Sequence, residues 1–300
     1  VMTDSGLYKK QRNIWGWIFC IPAAVSLLLF VVYPIIYSVL LSFTDVRYYA
    51  TSLKFKGFDN YIYLFTNSTT MFWPSLLNSL KFSLISTAIQ ITLGFLIAYL
   101  IYKMTRGPQT LFRVLIYIPV VLPAPVVSVM WKFIYAHDNG LIDRLLLALG
   151  FTDIPAWLVT PGWSMVAVII TNTWWFIGTT VILYFVAMNA VPKDCLEGAK
   201  IDGVNKFQEL IYFIFPLTFS MTKVNLVMSL VGGIKNFTLF YLLTEGAGNT
   251  KVVGLIIFNT MYKQRNFSLS VTMSIVLSLI LAVFVWFGNF YLSKKEKNDL

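Results

Sequence analysis

Pro192-Lys-Asp-Cys-Leu-Glu197-Gly-Ala-Lys-Ile-Asp202-Gly203-Val-Asn-Lys-Phe-Gln-Glu209-Leu-Ile-Tyr-Phe-Ile-Phe-Pro216-Leu217 carries seven charged residues, whereas residues 154–192 before it carry none. A polar island this dense between apolar segments has to face water, because desolvating unpaired charges is expensive. Pro192 suits the start of a helix, and Asp194 and Glu197 fall in its first turns, where the helix dipole favours anions. Asp202-Gly203 breaks that helix as a turn. A second helix starts near Asn205 and runs toward Pro216. The expected product is a knob of two short helices. Its apolar side carries Leu196, Ala199 and Val204; Glu197 and Lys200 supply the charge. Such a knob suits docking to another protein.

The surroundings of the island are those of a membrane protein. Apolar residues make up 58% of the 300 and charged residues 12%, about half the share of roughly 25% in soluble domains. Mean hydropathy is +0.73. Six charge-poor runs stand out, at residues 14–43, 76–102, 114–135, 162–188, 220–244 and 267–292. A membrane-spanning helix needs about 20 residues. In hydrocarbon every backbone N–H and C=O needs an internal partner, so the runs are expected to be helices; the alternation of a membrane barrel is absent. Pro22 and Pro34 are expected kinks in the first run, and Pro119, Pro123 and Pro125 lie in the third. Lys9, Lys10 and Arg12 precede the first run, which is much longer than a signal peptide's apolar core of roughly 7–15 residues; a retained helix is expected. The fold class is therefore an all-α membrane protein with six transmembrane helices.

The net charge of +10 reads as a topology signal. Lys and Arg sit in short clusters between apolar runs, which does not suit a nucleic-acid surface. Placing Lys9, Lys10, Arg12, Lys103, Arg106, Arg113, Lys193, Lys200, Lys206, Lys223, Lys294, Lys295 and Lys297 on one side gathers more than half of the 23 basic residues there. Both termini are then cytoplasmic. Residues 1–13 form the N-terminus, 14–292 a single transmembrane domain whose 189–215 segment is a cytoplasmic loop, and 293–300 the C-terminus. Three outer segments remain, at 44–75, 137–161 and 245–266. In the second, Leu141, Ile142, Leu145, Leu146 and Leu149 repeat at helical spacing ahead of Gly150, so a short amphipathic helix is expected at the membrane surface.

Enzymatic chemistry has little to build on. His137 is the one histidine, and Cys20 and Cys195 are the two cysteines. No metal-ligand spacing and no nucleophile elbow is present. Gly198-Ala-Lys-Ile-Asp-Gly203 satisfies the first half of a phosphate loop, but Val204-Asn205 stand where Lys-Ser/Thr would meet phosphate and magnesium. Any energy source sits on another polypeptide, and no cofactor is expected in this chain.

Glu197-Gly198-Ala199, Asp202-Gly203 and Pro216-Leu217 resemble the EAA motif of ATP-binding-cassette importer permeases, in its sugar (maltose-type) branch. Gly198 stands where alanine is usual, Phe213 and Phe215 replace smaller aliphatics, and Ser220 replaces a second proline. Further segments are similar to that family: Asn13-Ile-Trp-Gly-Trp through Pro22, Tyr33-Pro34 with Ser42-Phe43, Gly57-Phe58-Asp59-Asn60-Tyr61, and Phe112-Arg113 through Pro119 with Trp131. So is Asn236-Phe237 with Leu242-Leu243-Thr244-Glu245-Gly246, although Gly246-Ala247-Gly248 departs from the usual Gly-Gly-Pro. The resemblance implies a coupling helix at Glu197, Gly198, Ala199, Asp202, Gly203 and Pro216 that inserts into a cytoplasmic ATPase. It also implies a second permease subunit, two ATPase subunits carrying ATP and Mg, an extracytoplasmic solute-binding protein and a sugar substrate, all at a bacterial cytoplasmic membrane.

Candidates for the substrate path come from polar and aromatic residues inside the runs. Lys235 lies 12 positions beyond Lys223, or roughly 18 Å at helical rise, near the bilayer centre, where an ionisable group marks a pathway or a paired structural site. Asn172, Thr173, Trp174 and Trp175, with Asn236 and Tyr241, are sugar-wall candidates; core- or lipid-facing aromatics are the plain alternative. The sequons at Asn67 and Asn266 read as chance matches. The residues do not name the sugar, and a phosphorylated polyol stays open. A secondary transporter acting without an ATPase is the rival reading, and a membrane enzyme would need a reactive cluster that is not visible.

Overall fold

The computed structural model describes residues 19–47 and 54–298. The expected cytoplasmic N-terminus, the start of the first run and the 13–17 motif lie outside the described residues. In order, the helices are α1 (Phe19–Ser42), α2 (Asp59–Thr66), α3 (Phe72–Tyr102), α4 (Arg106–Val121), α5 (Ala124–Ile134), α6 (Leu141–Ala148) and α7 (Trp163–Asn189). There follow α8 (Lys193–Ile201), α9 (Lys206–Leu217), α10 (Phe219–Lys235), α11 (Thr238–Leu243), α12 (Val253–Tyr262) and α13 (Phe267–Asn298). Among the described residues there is no strand, only isolated bridges pairing Thr44 with Phe55 and Arg47 with Asn266.

Four helices are long and apolar enough to cross a membrane unbroken: α1, α3, α7 and the Phe267–Trp286 part of α13. Two further spans exist only if bent pairs are counted as one. The third run is not a single helix: α4 and α5 meet at 98°. Pro123 has no N–H to continue α4, and Leu122 ahead of it is forced into extended backbone, ψ 135°. Pro125 sits in the first turn of α5, where no donor is missed. The fifth run is likewise interrupted. α9 and α10 meet at 70° just ahead of it, and inside it α10 ends at Lys235, where Asn236 turns extended before α11. The prolines of the first run, by contrast, leave α1 unbroken. A π turn at Leu28–Val32, closed by the Tyr33 N–H on the Leu28 carbonyl, lies just ahead of Pro34 and takes up the local distortion.

The chain divides into two compact units. In the unit made of residues 1–67 and 257–278, the Gly57–Tyr61 motif ties down the end of α1. The Phe58 ring packs edge-on against Phe43, centroids 5.2 Å apart. Asn60 Nδ2 donates to the carbonyls of Ser42 and Thr44, both at 2.8 Å. Ser268 Oγ accepts from the Val46 N–H at 2.8 Å. Lys56 hydrogen-bonds Asp45 and, with Arg47, holds its carboxyl below the ordinary carboxylate range.

In the unit made of residues 68–256 and 279–300, α7 packs against both α3 and α4, and α3 also packs against α10. The polarity of α3 is inverted relative to a soluble helix. Ser75, Ser79, Ser83, Ser86, Gln90 and Gly94 are buried, while Leu77, Leu84, Leu93, Leu96 and Leu100 are exposed. Small and polar residues lie where helices meet, the arrangement expected when lipid rather than water surrounds the bundle. α6 is the expected amphipathic helix: Ile142 and Leu146 pack on the core, and Leu141, Leu145 and Leu149 are exposed. It is anchored by the buried Asp143 carboxylate, which accepts from Trp157 Nε1 at 2.8 Å and the Asp138 N–H at 2.9 Å.

A Cβ added at Gly178 of α7 would collide with the Ile116 carbonyl of α4, and backbone cannot yield as a side-chain tip can. Gly178→Val should therefore lower the thermal-unfolding midpoint of the purified protein in detergent, overpacking costing about 1–3 kcal/mol. Gly107→Ala, at a position facing open space, should not lower it.

Candidate functional site

The charged island folds as a helix–turn–helix. Pro192 caps α8, and Asp194 lies in its first turn. At the other end the Val204 N–H reaches the Ala199 carbonyl at 3.0 Å and the Gly203 N–H reaches Lys200 at 3.1 Å. This double closure needs a left-handed residue, supplied by Gly203 at φ +77°. Asn205 then opens α9 with a capping box: its side chain accepts from the Phe207 and Gln208 N–H groups while Gln208 Oε1 accepts from the Asn205 N–H. Leu196 and Ala199 are buried and Leu196 joins the core around Phe95, Tyr99, Tyr184 and Ile214. Glu197, Gly198, Lys200, Asp202 and Gly203 are all exposed, as are Pro216 and the large apolar Ile201, Phe207 and Tyr212. One face of the hairpin is thus rooted in the bundle and the other presents mixed charge and apolar area.

A cavity of about 410 Å³ opens between α3, α5, α7 and α10. From α7 come Asn172, Trp175, Phe176, Thr179, Thr180 and Leu183, a single helical face. From α10 and the break after it come Asn225, Met228, Ser229, Gly232, Gly233, Lys235, Asn236 and Thr238; α3 adds Gln90 and α5 adds Ala124. Lys235 is the one charged residue among these lining residues, and it is exposed. Asn236 Nδ2 donates to Asn172 Oδ1 at 3.1 Å, and Asn236 Oδ1 accepts from the Leu239 N–H at 3.4 Å. Trp175 Nε1 donates to the Leu122 carbonyl at 3.2 Å. Buried Asn225 has no hydrogen-bond partner for Nδ2 among the described residues. Amide forks beside aromatic faces in a space of this size can hold a polar, hydroxylated solute; ligand pockets run to roughly 300–1,000 Å³.

Residues 90–295 match the protein family described as "Binding-protein-dependent transport system inner membrane component". The chain belongs to this family. It is a multi-pass component of the inner membrane, and the family's role is transport rather than catalysis. Over 98% of its length it is 30% identical to the lactose transport system permease protein LacF of Rhizobium radiobacter, covering 99% of that protein. It is 25% identical to the trehalose/maltose transport system permease protein MalF of Thermococcus litoralis, over 86% of each chain. Its fold matches a chain of a bacterial ABC transporter involved in the import of the acidic polysaccharide alginate, with a TM-score of 0.83 at 20% identity over 96% of this chain and 98% of the other.

Within this family member, the path candidates read from the sequence separate into two groups. Asn172, Trp175, Lys235 and Asn236 line the cavity. Trp174 and Tyr241 lie off it: Trp174 packs edge-on against Trp131, centroids 5.7 Å apart, and both pack on the buried core. Thr173 is buried. Sequence inspection passes over Gln90, Thr179, Thr180, Asn225 and Ser229. Their signal was present as polar side chains inside apolar runs, with Asn225, Ser229 and Gly232-Gly233 recurring at helical spacing.

Gly203→Val should loosen the hairpin, since a left-handed backbone costs a side-chain-bearing residue roughly 1–2 kcal/mol. Amide hydrogen exchange over residues 193–204 should accelerate while α3 and α7 keep their protection.

Proposed function

We propose that this chain is a transmembrane permease subunit of an ATP-driven sugar importer. It forms half of the translocation path and is coupled to a separate ATPase through the α8–α9 hairpin. The observation that carries the coupling is the hairpin itself, whose Leu196 and Ala199 are buried while Glu197, Gly198, Lys200, Asp202 and Gly203 remain on an outward face. The sugar assignment is supported by the relatives named for lactose and for trehalose and maltose, together with the amide-and-aromatic cavity. The partners are a second permease subunit, two ATPase subunits that bind ATP and Mg, and an extracytoplasmic solute-binding protein; a similar alginate transporter is described in complex with a periplasmic protein bearing an alginate pentasaccharide. The chain itself carries no cofactor.

In this reading six spans cross the membrane, the four unbroken helices, the bent α4–α5 pair and the broken run of α10 and α11, with both termini cytoplasmic. Residues 1–13 and 293–300 flank one transmembrane domain, 14–292, and 189–215 is its cytoplasmic coupling loop. Nucleotide binding closes the ATPase on the hairpin, and the helices around the cavity rock between inward- and outward-open states. Nucleotide and loaded binding protein must each favour one state by differential contact. Asn172, Trp175, Lys235 and Asn236 bound the solute.

Two measurements test this. Glu197→Lys should leave membrane insertion and chain level unchanged and abolish uptake of lactose, maltose or trehalose, whichever the unmodified importer takes up; undiminished uptake would overturn the coupling role. Lys235→Cys should react with a water-soluble thiol reagent and be protected by the transported sugar. No labelling in either nucleotide state would remove Lys235 from the path.

A further inference from the structure

At the root of the hairpin one carboxylate, that of Glu209, is withdrawn from water, while its partner Lys103 is partly exposed, its side chain 33% accessible. Glu209, in the first turn of α9, has a side chain only 7% exposed, and its carboxylate meets the Lys103 ammonium. Lys103 is the residue that ends α3. Its ammonium also lies 5.4 Å from the Tyr99 ring and 5.6 Å from the Tyr102 ring, within cation–π range. Tyr99 Oη in turn donates to the carbonyl of Lys206, the first residue of α9, at 3.1 Å. Two directional contacts, the ion pair and the Tyr99 hydrogen bond, therefore join one helix end to one helix start.

The other roots of the hairpin are apolar. Leu196 from α8, and Leu210 and Ile214 from α9, pack among Phe95, Ala98, Tyr184 and Met188. Apolar contact is non-directional, so it resists separation more than it resists sliding or rotation. An ion pair with one buried partner behaves differently. It is worth little as net stability, but removing the lysine strands the buried Glu209 carboxylate. It tolerates no shift that opens it, and so it fixes the angle between its two elements. α9 has further need of such a pin, because its residues Glu209–Ile214 form a π turn rather than a regular helix, and it meets α10 at a 70° bend. Along the hairpin's own chain, then, the route to the membrane helices passes through a bend. The route through Lys103 is a single unbroken helix. Gln90 in the cavity wall stands 13 positions along α3, or about 20 Å at helical rise.

We infer that the Lys103–Glu209 ion pair is the joint that makes the α8–α9 hairpin and α3 move as one body, so that a push on the hairpin reaches the cavity wall through α3 rather than through the bent α9–α10 connection. The functional half of this statement rests on the coupling role proposed for the hairpin; the mechanical half does not. Lys103 and Glu209 are positioning residues and touch no solute.

The test uses the full chain assembled with its partner subunits, in a Cys20→Ser, Cys195→Ser background. Spin labels at Lys200→Cys on the hairpin and Leu100→Cys on α3, both exposed, report the distance between the two elements. A single narrow distribution, unchanged by ATP, is expected with the pair intact. Lys103→Glu and Glu209→Lys should each broaden it. The exchanged pair K103E/E209K should restore the original width, a rescue that simple loss of packing does not give. Should the single variants fail to insert, the neutral pair K103Q/E209Q leaves no lone buried ion and must show the broadening. A narrow distribution in that neutral pair, or an exchanged pair as broad as the single variants, overturns the joint. Sugar transported per ATP hydrolysed should fall about fivefold or more in the broadened variants, the low end of ordinary coupling between sites. If the distances respond as expected but this ratio does not, the mechanical joint stands and its role in coupling is overturned. Failure of the hairpin's coupling role itself is read separately, from Glu197→Lys.

Discussion

A backbone surrounded by lipid can bend only where another group takes over the polar atoms the bend sets free. Two of the bends beside the cavity are held by one helix. At the α4–α5 break, the Leu122 carbonyl accepts from Trp175 Nε1. At the end of α10, the Asn236 side chain, which accepts from the Leu239 N–H, donates to Asn172. Trp175 and Asn172 are three residues apart on α7, hence on the same face. α7 is therefore more than the central packing element of its unit. It stabilises the two interruptions that let α5 and α11 depart from straight spans, and the space left beside those interruptions is the cavity.

The same helix explains why the cavity is lined as it is. The side chains that satisfy broken backbone here are an amide and an indole, and these are also groups that bind hydroxylated solutes. Structural and solute-facing roles thus fall on the same residues, Asn172, Trp175 and Asn236. Lys235 and Asn225 differ. Lys235 is the lone charge of the lining, and the Asn225 amide nitrogen is buried in the same wall without a partner among the described residues.

The hairpin obeys the opposite logic. Its turns and caps are encoded in its own chain by Pro192, Gly203 and the Asn205–Gln208 capping box. Its attachment is not local. Leu196 is buried against residues from α3 and α7, and Glu209 meets a lysine 106 positions away. Local signals thus set the hairpin's turns, and distant contacts set its orientation on the bundle.

Much of this was legible in the residues. Charge-poor runs give the apolar helices, because lipid admits almost nothing else. The short amphipathic helix at 141–148 and the two-helix island followed from local periodicity, a glycine stop and capping chemistry, all of which act over four or five residues. The bends were less legible: Pro119, Pro123 and Pro125 announced trouble in the third run, but an interior proline either kinks or breaks a helix depending on whether a neighbour donates to the freed carbonyl. Here that neighbour is Trp175. The Lys235–Asn236 break carried no proline at all. Nor could spacing separate Trp175, which lines the cavity, from adjacent Trp174, which packs on Trp131, since consecutive helical residues point about 100° apart and only the packed bundle says which side is empty. Lys103 looked like a topology signal and Glu209 like a solvated charge. Their pairing arises because the bundle brings the end of α3 to the start of α9. Sequence alone determined where the chain is apolar and where it turns; tertiary packing decided which polar groups meet, because partners for buried polar atoms are set by proximity in space and not by distance along the chain.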